Sequence, residues 1–434
     1  MSVKSAISNI GVKVFQLLSQ VALAYFTNRV LAPEGRGLVA SLSTWHMLLF
    51  TVGYLSVPIA IYNLYASNKE KRAAFAGNAL FAGLALGITT ALLAWGAFQI
   101  FPVWFENMPE SLFMLILIGI PLFMVQQFHL SVLQIMGHLD VYNFSFLFTT
   151  IVNILLTGLA LVLQAYNVEY AVWILLSTWV ITLLYTSGQL LRRLDYKWSF
   201  DSALLKRMLH TGYIAHFASI VTLAAQRLDL IMVNSILGQR EAGIYFLAIM
   251  LTGTLTIIPS AIQSILYPML AESEKGNTIA ISTRMARMTF LIMLIACAGM
   301  ALIAWPAVRF VGGTAFMEAV PLIYIMLPGV VLYAVPVVLA GLWNSMGIFK
   351  LLNLSSVVLL CIIVAADYFL ISWFGLVGAA FSAFTVAFAA FMIHLFFLKT
   401  AAHIQMPLTA VLPGKADFRL LVSTITAVLK RKSI

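Results

Sequence analysis

On the first apolar segment of this chain, Asn9, Lys13, Gln16, Gln20 and Thr27 recur at spacings of four, three, four and seven. On a helix that spacing gathers amides and one ammonium along a single face, polar where the rest of the segment is apolar. A second group, Gln226, Arg227 and Asp229, stands roughly ten or more residues from either end of another apolar segment, and Asp367 interrupts a third. Ionisable side chains at such depth are costly, so they either serve a polar ligand or pair with one another. Arg227 and Asp229 are two apart and do not face each other on a helix. Arg227 is therefore read as a ligand contact or as the partner of Asp367. Asp229 and Asp367 are read as ion-coupling sites, for a proton or sodium, or as pairing partners for Arg227 and Lys13. Lys13 lies only about two turns into its segment, where it faces the interior or snorkels to the headgroups. Arg29, near the far end of that segment, is a ligand contact or an interfacial anchor. His46, His129, His216 and His394 lack metal-like spacing and read as hydrogen-bonded interior residues, His216 having the strongest claim to function. Catalytic residues, a metal site and a cofactor are not expected, because neither a nucleophile with its base nor a ligand cluster is spaced for one.

The elements that carry these residues follow from composition. Of 434 residues 62% are hydrophobic and 9% charged, against roughly 25% charged in soluble domains, and the mean hydropathy is +1.01. A bilayer is the solvent that such a chain requires. Lipid gives backbone groups no partners, so spans are helices or closed barrels. Apolar runs such as Phe75 to Phe101 and Leu351 to Phe374 are far too long for the ten-residue alternation of a barrel strand. The fold class is all-α and polytopic, with about twelve transmembrane helices. They fall near 5–31, 38–66, 75–101, 112–136, 143–165 and 171–191, then 212–237, 243–271, 285–310, 319–345, 351–374 and 376–398. Gly375 and Gly378 alone mark the last division.

The formal charge of +10 does not point to nucleic acid, because the basic residues sit in short clusters between apolar runs. Lys69, Lys71, Arg72, Arg192, Arg193, Lys197, Lys206, Arg207, Lys350 and Lys399 mark one side, and Glu34, Glu106, Glu110, Glu169, Glu241 and Glu318 mark the other. The bias predicts a multi-pass protein with cytoplasmic termini and a cytoplasmic linker at 192–210. Cys297 and Cys361 both fall inside spans and imply no disulfide framework. The first apolar run is too long for a cleavable signal peptide. Segment 198–211 reads as a short interfacial helix capped by Asp201, and Asp417 to Lys432 as an amphipathic helix on the inner leaflet. Gly83 and Gly87 have the spacing that lets helices approach closely.

The chain also repeats itself. At an offset of 206, Gln20 matches Gln226, Asn28 matches Asn234, Leu31 matches Leu237 and Gly37 matches Gly243. The implied organisation is an N-terminal six-helix bundle (1–191), a cytoplasmic linker (192–211), a C-terminal six-helix bundle (212–398) and a cytoplasmic tail (399–434). Repeats separated by six helices have parallel topology, with a cavity between them that opens alternately to each side.

The stretch Asn28-Arg29-Val30-Leu31-Ala32-Pro33-Glu34-Gly35-Arg36-Gly37 resembles the R-x-LGPEGyG segment of bacterial polysaccharide biosynthesis flippases. These belong to the multidrug/oligosaccharidyl-lipid/polysaccharide (MOP) exporter superfamily. Asp229…Gly238…Ala242-Gly243-Ile244-Tyr245, Ala319-Val320-Pro321-Leu322…Leu327-Pro328-Gly329 and Leu412-Pro413-Gly414-Lys415-Ala416-Asp417-Phe418 add to the likeness. Ala32, where the family usually has Gly, departs from it. So does the absence of Pro after Gly212. The resemblance implies a MATE-like fold and a flippase that moves an undecaprenyl-diphosphate-linked oligosaccharide to the outer leaflet. Its partners would be that substrate, membrane lipids, and a polysaccharide polymerase with chain-length machinery. In that reading Lys13, Arg227 and Arg29 are the diphosphate contacts, and Asn9, Gln16, Gln20 and Gln226 the polar lining. A cation-coupled multidrug exporter of the same fold is the alternative, followed by a membrane sugar polymerase or ligase.

Overall fold

In the computed structural model, residues 3–65, 67–105, 107–195, 197–272, 278–345, 349–400, 413–414 and 417–419 are described, and no strand occurs among them. The helices are α1 (Val3–Gly53), α2 (Val57–Tyr65), α3 (Arg72–Ile100), α4 (Glu110–Ile135), α5 (Leu139–Val162) and α6 (Val168–Arg193). After them come α7 (Ser202–Leu237), α8 (Gln239–Gly253), α9 (Ile257–Glu272), α10 (Thr278–Val311), α11 (Ala319–Ser345) and α12 (Phe349–Thr400). Among the described residues eight helices are long and apolar enough to cross a membrane, or nine when Phe15–Gly53 and α2, bent by 45°, form one span.

Breaks inside the longest helices decide how these runs divide. Leu354–Leu398 holds 45 residues, which straight would reach about 67 Å at ~1.5 Å per residue, twice the ~30 Å hydrocarbon core. Gly375 (φ 57, ψ −135) interrupts α12. Across that break Ser382 Oγ donates to Asp367 Oδ1 at 2.5 Å, and a Cβ on Gly378 would lie 1.8 Å from the Leu370 carbonyl oxygen. The segment is therefore a hairpin of two helices. In α1 the break is at Ala32 (φ 54, ψ 179), just before Pro33. Both breaks fall where the apolar runs divide in the sequence.

The linker differs from expectation. Asp201 does cap a helix, accepting the Leu204 N–H at 2.9 Å, but that helix is α7 itself, 36 residues without interruption. Nothing between Ser202 and Leu237 breaks a helix, since Gly212 alone costs only about 1 kcal/mol relative to alanine. Of the amphipathic tail, only Asp417 to Arg419 lie within the described residues, and they are helical.

Contacts divide the chain into two compact units, residues 1–246 with 310–315 and residues 247–309 with 316–434. In the first, α7 packs on α1 and α2, and α3 on α4. Close approach of α3 to α4 depends on Gly83 and Gly87, where a Cβ would meet the Val125 and Pro121 Cα atoms at 2.9 and 2.3 Å. Phe98, Phe105, Phe113 and Trp45 form an aromatic core beside them. On α6, Thr178, Thr182 and Thr186 return their hydroxyls to the carbonyls four residues back, which satisfies them without a partner helix. In the second unit Leu266, Leu339, Leu342, Trp343 and Phe391 centre the core of α9, α11 and α12.

Candidate functional site

Within the first unit, the part of α1 that follows Ala32 crosses α8 through a reciprocal contact. A Cβ on Gly37 would lie 1.8 Å from the Gln239 carbonyl oxygen and 2.7 Å from the Gly243 nitrogen. A Cβ on Gly243 would lie 2.0 Å from the Pro33 carbonyl oxygen and 2.9 Å from the Gly37 nitrogen. Pro33 and Gln239 are 206 apart, as are Gly37 and Gly243. A contact of one residue with the equivalent of another, matched by its converse, is what a two-fold relation produces. The helix breaks just before the crossing obey the same offset: Ala32 (φ 54, ψ 179) and Gly238 (φ 109, ψ 179). A local two-fold axis therefore passes between the two glycines, and the sequence repeat is visible in backbone geometry.

Four residues before these breaks lie the paired asparagines, a feature the sequence shows only through the repeat. Asn28 and Asn234 are 2% and 3% exposed. Asn28 Nδ2 donates to the Val311 carbonyl at 3.3 Å, while the side-chain carbonyl oxygens of both have no partner among the described residues. An unpaired buried acceptor costs about 1–3 kcal/mol unless water reaches it.

The expected site residues separate into three groups. The side chains of Asn9, Lys13 and Gln226 lie outside the described residues, although their backbones are helical in α1 and α7. Gln16, Gln20 and Arg29 of α1 do not share one environment. Gln16 Nε2 turns to α5, reaching the Phe146 carbonyl and Thr150 Oγ1, each at 3.4 Å. Gln20 is exposed. The exposed Arg29 donates to the Tyr25 carbonyl at 2.7 Å and to the Phe310 carbonyl at 2.8 Å. Its guanidinium lies 3.8 Å over the Tyr25 ring. Phe310 is in the last turn of α10, so Arg29 satisfies a helix-end carbonyl, where cations are favourable. That geometry makes Arg29 a tie between α1 and the end of α10.

The third group comprises the deep charges. Asp229 Oδ2 accepts from the Tyr245 hydroxyl at 2.9 Å, and Oδ1 accepts from the Leu230 N–H at 2.8 Å. Tyr245 belongs to the buried start of α8, so this bond links α7 to α8 across the Gly238 break. Asp367 is held by Ser382 inside the α12 hairpin. Arg227 is half-buried, and its charge is felt at the Asp229 carboxylate. The structure thus ties both acids to hydroxyls and sets the Arg227 guanidinium within electrostatic reach of Asp229.

The histidines behave as interior residues. His46 stacks on Trp179 at 4.0 Å, His129 Nδ1 meets Ser187 Oγ at 3.0 Å, and His394 Nδ1 meets the Ala390 carbonyl at 2.9 Å. His216 bridges α7 to the α1–α2 bend, with Nε2 2.8 Å from the Val52 carbonyl and Nδ1 3.5 Å from Ser56 Oγ. No group of three or more His, Cys, Asp or Glu side chains could hold a metal among the described residues.

A family model described as polysaccharide biosynthesis protein matches residues 26–321, a stretch that contains both crossing glycines, both breaks and Arg227. The chain belongs to the polysaccharide biosynthesis protein family. No curated protein matches it. Members of this family can be compared with solved structures, and the fold recurs in MOP-superfamily transporters. An inward-facing multidrug-resistance MATE family transporter is 15% identical, with 92% of this chain and 100% of that one covered at a TM-score of 0.72. The lipid II flippase MurJ, in an inward closed conformation, is 13% identical, with 99% and 93% covered at 0.76. A MOP-superfamily transporter from Pyrococcus furiosus is 14% identical, with 92% and 94% covered at 0.63. This polysaccharide biosynthesis protein is thus an all-α, multi-pass membrane protein with the MATE-like fold.

Proposed function

We propose that this protein is a flippase for undecaprenyl-diphosphate-linked oligosaccharides, carrying them between the leaflets of the bacterial cytoplasmic membrane by alternating access. The observation that carries the reading is Arg227, a half-buried guanidinium on α7 at least ten residues from either end of the helix, beside the Asp229 carboxylate that Tyr245 already holds. A charge held in low dielectric costs several kcal/mol unless it is paired. A diphosphate would bring a second anion to this guanidinium, which can bind it through two parallel hydrogen bonds. Family membership supports a saccharide cargo, and the shared fold of a lipid II flippase supports a lipid-linked one.

In this mechanism the six-helix repeats, 1–191 and 212–398, rock against each other to open the path alternately to each side. Lys13 guides the diphosphate at the cytoplasmic side, and Gln20 and Gln226 line its path. Asp229, bound to Tyr245, is the proton or sodium site that couples α7 to α8, and Asp367 is a second. Both termini are cytoplasmic. A polymerase and chain-length machinery receive the product. No covalent bond is made or broken.

The test is leaflet-resolved labelling of undecaprenyl-linked glycan in membranes with wild-type protein, Arg227→Ala and Arg227→Lys at equal protein levels. Arg227→Ala is expected to lower outer-leaflet glycan by about tenfold or more, since a charge-assisted bidentate contact exceeds ~1.4 kcal/mol. Arg227→Lys should restore part of it. Wild-type translocation in Arg227→Ala would remove the residue from the path. Transport of amphipathic cations with no glycan translocation by wild type would favour drug export.

A further inference from the structure

The bend between α1 and α2 holds more backbone strain than its sequence demands. Pro58 falls in the first turn of α2, where its missing N–H is no loss, and a proline within a membrane helix calls only for a kink between right-handed residues. Instead Leu55 and Ser56 both stand in the left-handed region, at φ 44 and 45. Residues that bear a side chain enter that region only under constraint. The helix axis turns by 45° there. The second repeat interrupts its helix at the same stage, at Thr254–Thr256 between α8 and α9, without such strain. Gly253 and Ile257 flank that turn at φ −62 and −60. Its own hydroxyls satisfy the opened carbonyls, Thr254 Oγ1 donating to Leu251 and Thr256 Oγ1 to Gly253, each at 2.7 Å.

What holds the first bend comes from α7. Gly212, His216 and Ser219 follow at spacings of four and three, so they share one face of that helix. A Cβ on Gly212 would lie 2.2 Å from the Leu55 carbonyl oxygen, which puts the α7 backbone against the first left-handed residue. In an unbroken helix the Val52 carbonyl would accept the Ser56 N–H. Here it faces His216 Nε2 at 2.8 Å. A carbonyl only accepts, which assigns the proton of a neutral ring to Nε2 and leaves Nδ1 to accept from Ser56 Oγ at 3.5 Å. The wholly buried Ser56 hydroxyl also meets Ser219 Oγ at 3.2 Å. One face of α7 thus makes room for the break, takes over its carbonyl and engages its hydroxyl.

We propose that the α1–α2 bend is a two-state joint, latched broken by His216 of α7 and closing into one proline-kinked helix when α7 draws away. Both states satisfy the Val52 carbonyl, through His216 in one and the Ser56 N–H in the other, so neither buries an unpaired acceptor. Contact with α7 offsets the left-handed pair in the broken state, and relief of strain favours the closed one. Such a pair of states turns a small shift of one helix into a reorientation of another. The helix that works the latch is the one that bears Arg227 and Asp229, so its movement reaches α2. Use of the joint in a transport cycle rests on the flippase reading, whereas its two states do not.

The test places spin labels at Ser67→Cys, just past α2, and at Arg192→Cys in the last turn of α6, both exposed positions. Full-length protein carrying Cys297→Ala and Cys361→Ala would be studied in nanodiscs by double electron–electron resonance. His216→Leu cannot donate to the Val52 carbonyl, and it is expected to move the population about tenfold from the broken-helix distance toward a second one. His216→Gln, whose amide N–H can serve the same carbonyl, should keep the wild-type distance. Leu55→Gly takes the left-handed conformation freely, so adding it to His216→Leu should restore the broken-helix distance. Ser219→Ala, a milder loss, should give a smaller shift in the same direction, so a folding failure of His216→Leu leaves the test intact. Unchanged distances in both His216→Leu and Ser219→Ala would overturn the latch. A shift in His216→Leu that Leu55→Gly does not reverse would overturn it too, because strain would then not drive the closing. Glycan translocation by the same samples separates the two readings. Unshifted distances beside normal translocation sink the joint and leave the flippase standing. Shifted distances without any translocation by wild type sink the flippase and leave the joint.

Discussion

Ala32 and Gly238 occupy the same place in the two repeats and have nearly the same backbone: φ 54 with ψ 179, and φ 109 with ψ 179. Glycine takes that conformation freely, whereas alanine is forced into a region that side chains almost never enter, at a cost of about 1–3 kcal/mol. Local preference therefore does not set the geometry at Ala32. The reciprocal crossing a few residues on sets it, because Gly37 and Gly243 can approach the Gln239 and Pro33 carbonyls only if both chains turn in the same way beforehand. One repeat reaches the turn with a permissive residue and the other is held there by packing.

The largest effect is expected at the crossing. Gly37→Ala and Gly243→Ala each place a methyl within 2.0 Å of a backbone oxygen, so each should destabilise the detergent-solubilised protein by about 2–3 kcal/mol or prevent membrane accumulation. Because both residues act at one joint, the double variant should lose less than the sum of the singles. Additive losses in thermal unfolding would mean that the contacts are independent.

The breaks should respond with opposite signs. Gly238→Ala should cost about 1–3 kcal/mol. Ala32→Gly should gain roughly 0–1 kcal/mol, as relief of strain is offset by the extra freedom of glycine when unfolded. The midpoint of thermal unfolding reads both, and a loss of stability in Ala32→Gly would contradict the strained turn.

A smaller effect concerns two matching straps outside the spans. Asp201-Ser-Ala-Leu204-Leu205 and Asp417-Phe-Arg-Leu420-Leu421 have the same pattern, and each acid pairs with a cation of its own unit. Asp201 meets Lys71 Nζ at 2.7 Å, and Asp417 meets Arg287 Nε at 3.2 Å. The Lys71 hydrogen bond, followed by the Leu204 N–H, holds the Asp201 carboxyl below its ordinary 3.8. The Gly414 N–H, followed by Arg287, does the same for Asp417. A depressed folded pKa contributes stability in full above 3.8 and loses it as pH falls through the lower value. Unfolding temperature should therefore hold from neutral pH to about 5 and decline below about 4, less steeply in Asp201→Asn and Asp417→Asn. Equal slopes in all three proteins would show that the straps do not titrate with folding.

Much of this architecture was legible in the residues. Long apolar runs define spans because lipid leaves the backbone no alternative to helix, although the runs expected at 38–66 and 243–271 are each broken in the structure, after Gly53 and after Gly253. The offset of 206 was legible too, and it led to Gly37, Gly243 and the asparagines. What the sequence could not yield was the partner of each polar group. Arg29 meets a carbonyl 281 residues away, and the Tyr245 that binds Asp229 lies 16 residues on, across a turn. One-dimensional spacing shows which face of a helix is polar but not what stands opposite. The linker misleads for a related reason: an amphipathic pattern at 198–211 marks an interfacial stretch equally well when most of it is the opening turns of a longer helix, α7.

The turn at Gly375 also bears on how the chain is built into its membrane. With Leu370 and Gly378 in backbone contact and Asp367 fastened to Ser382, the last two spans have almost no connector, and neither can be threaded far ahead of the other. They must leave the insertion machinery side by side, and a reporter placed between them would separate a pair that enters the lipid as one object.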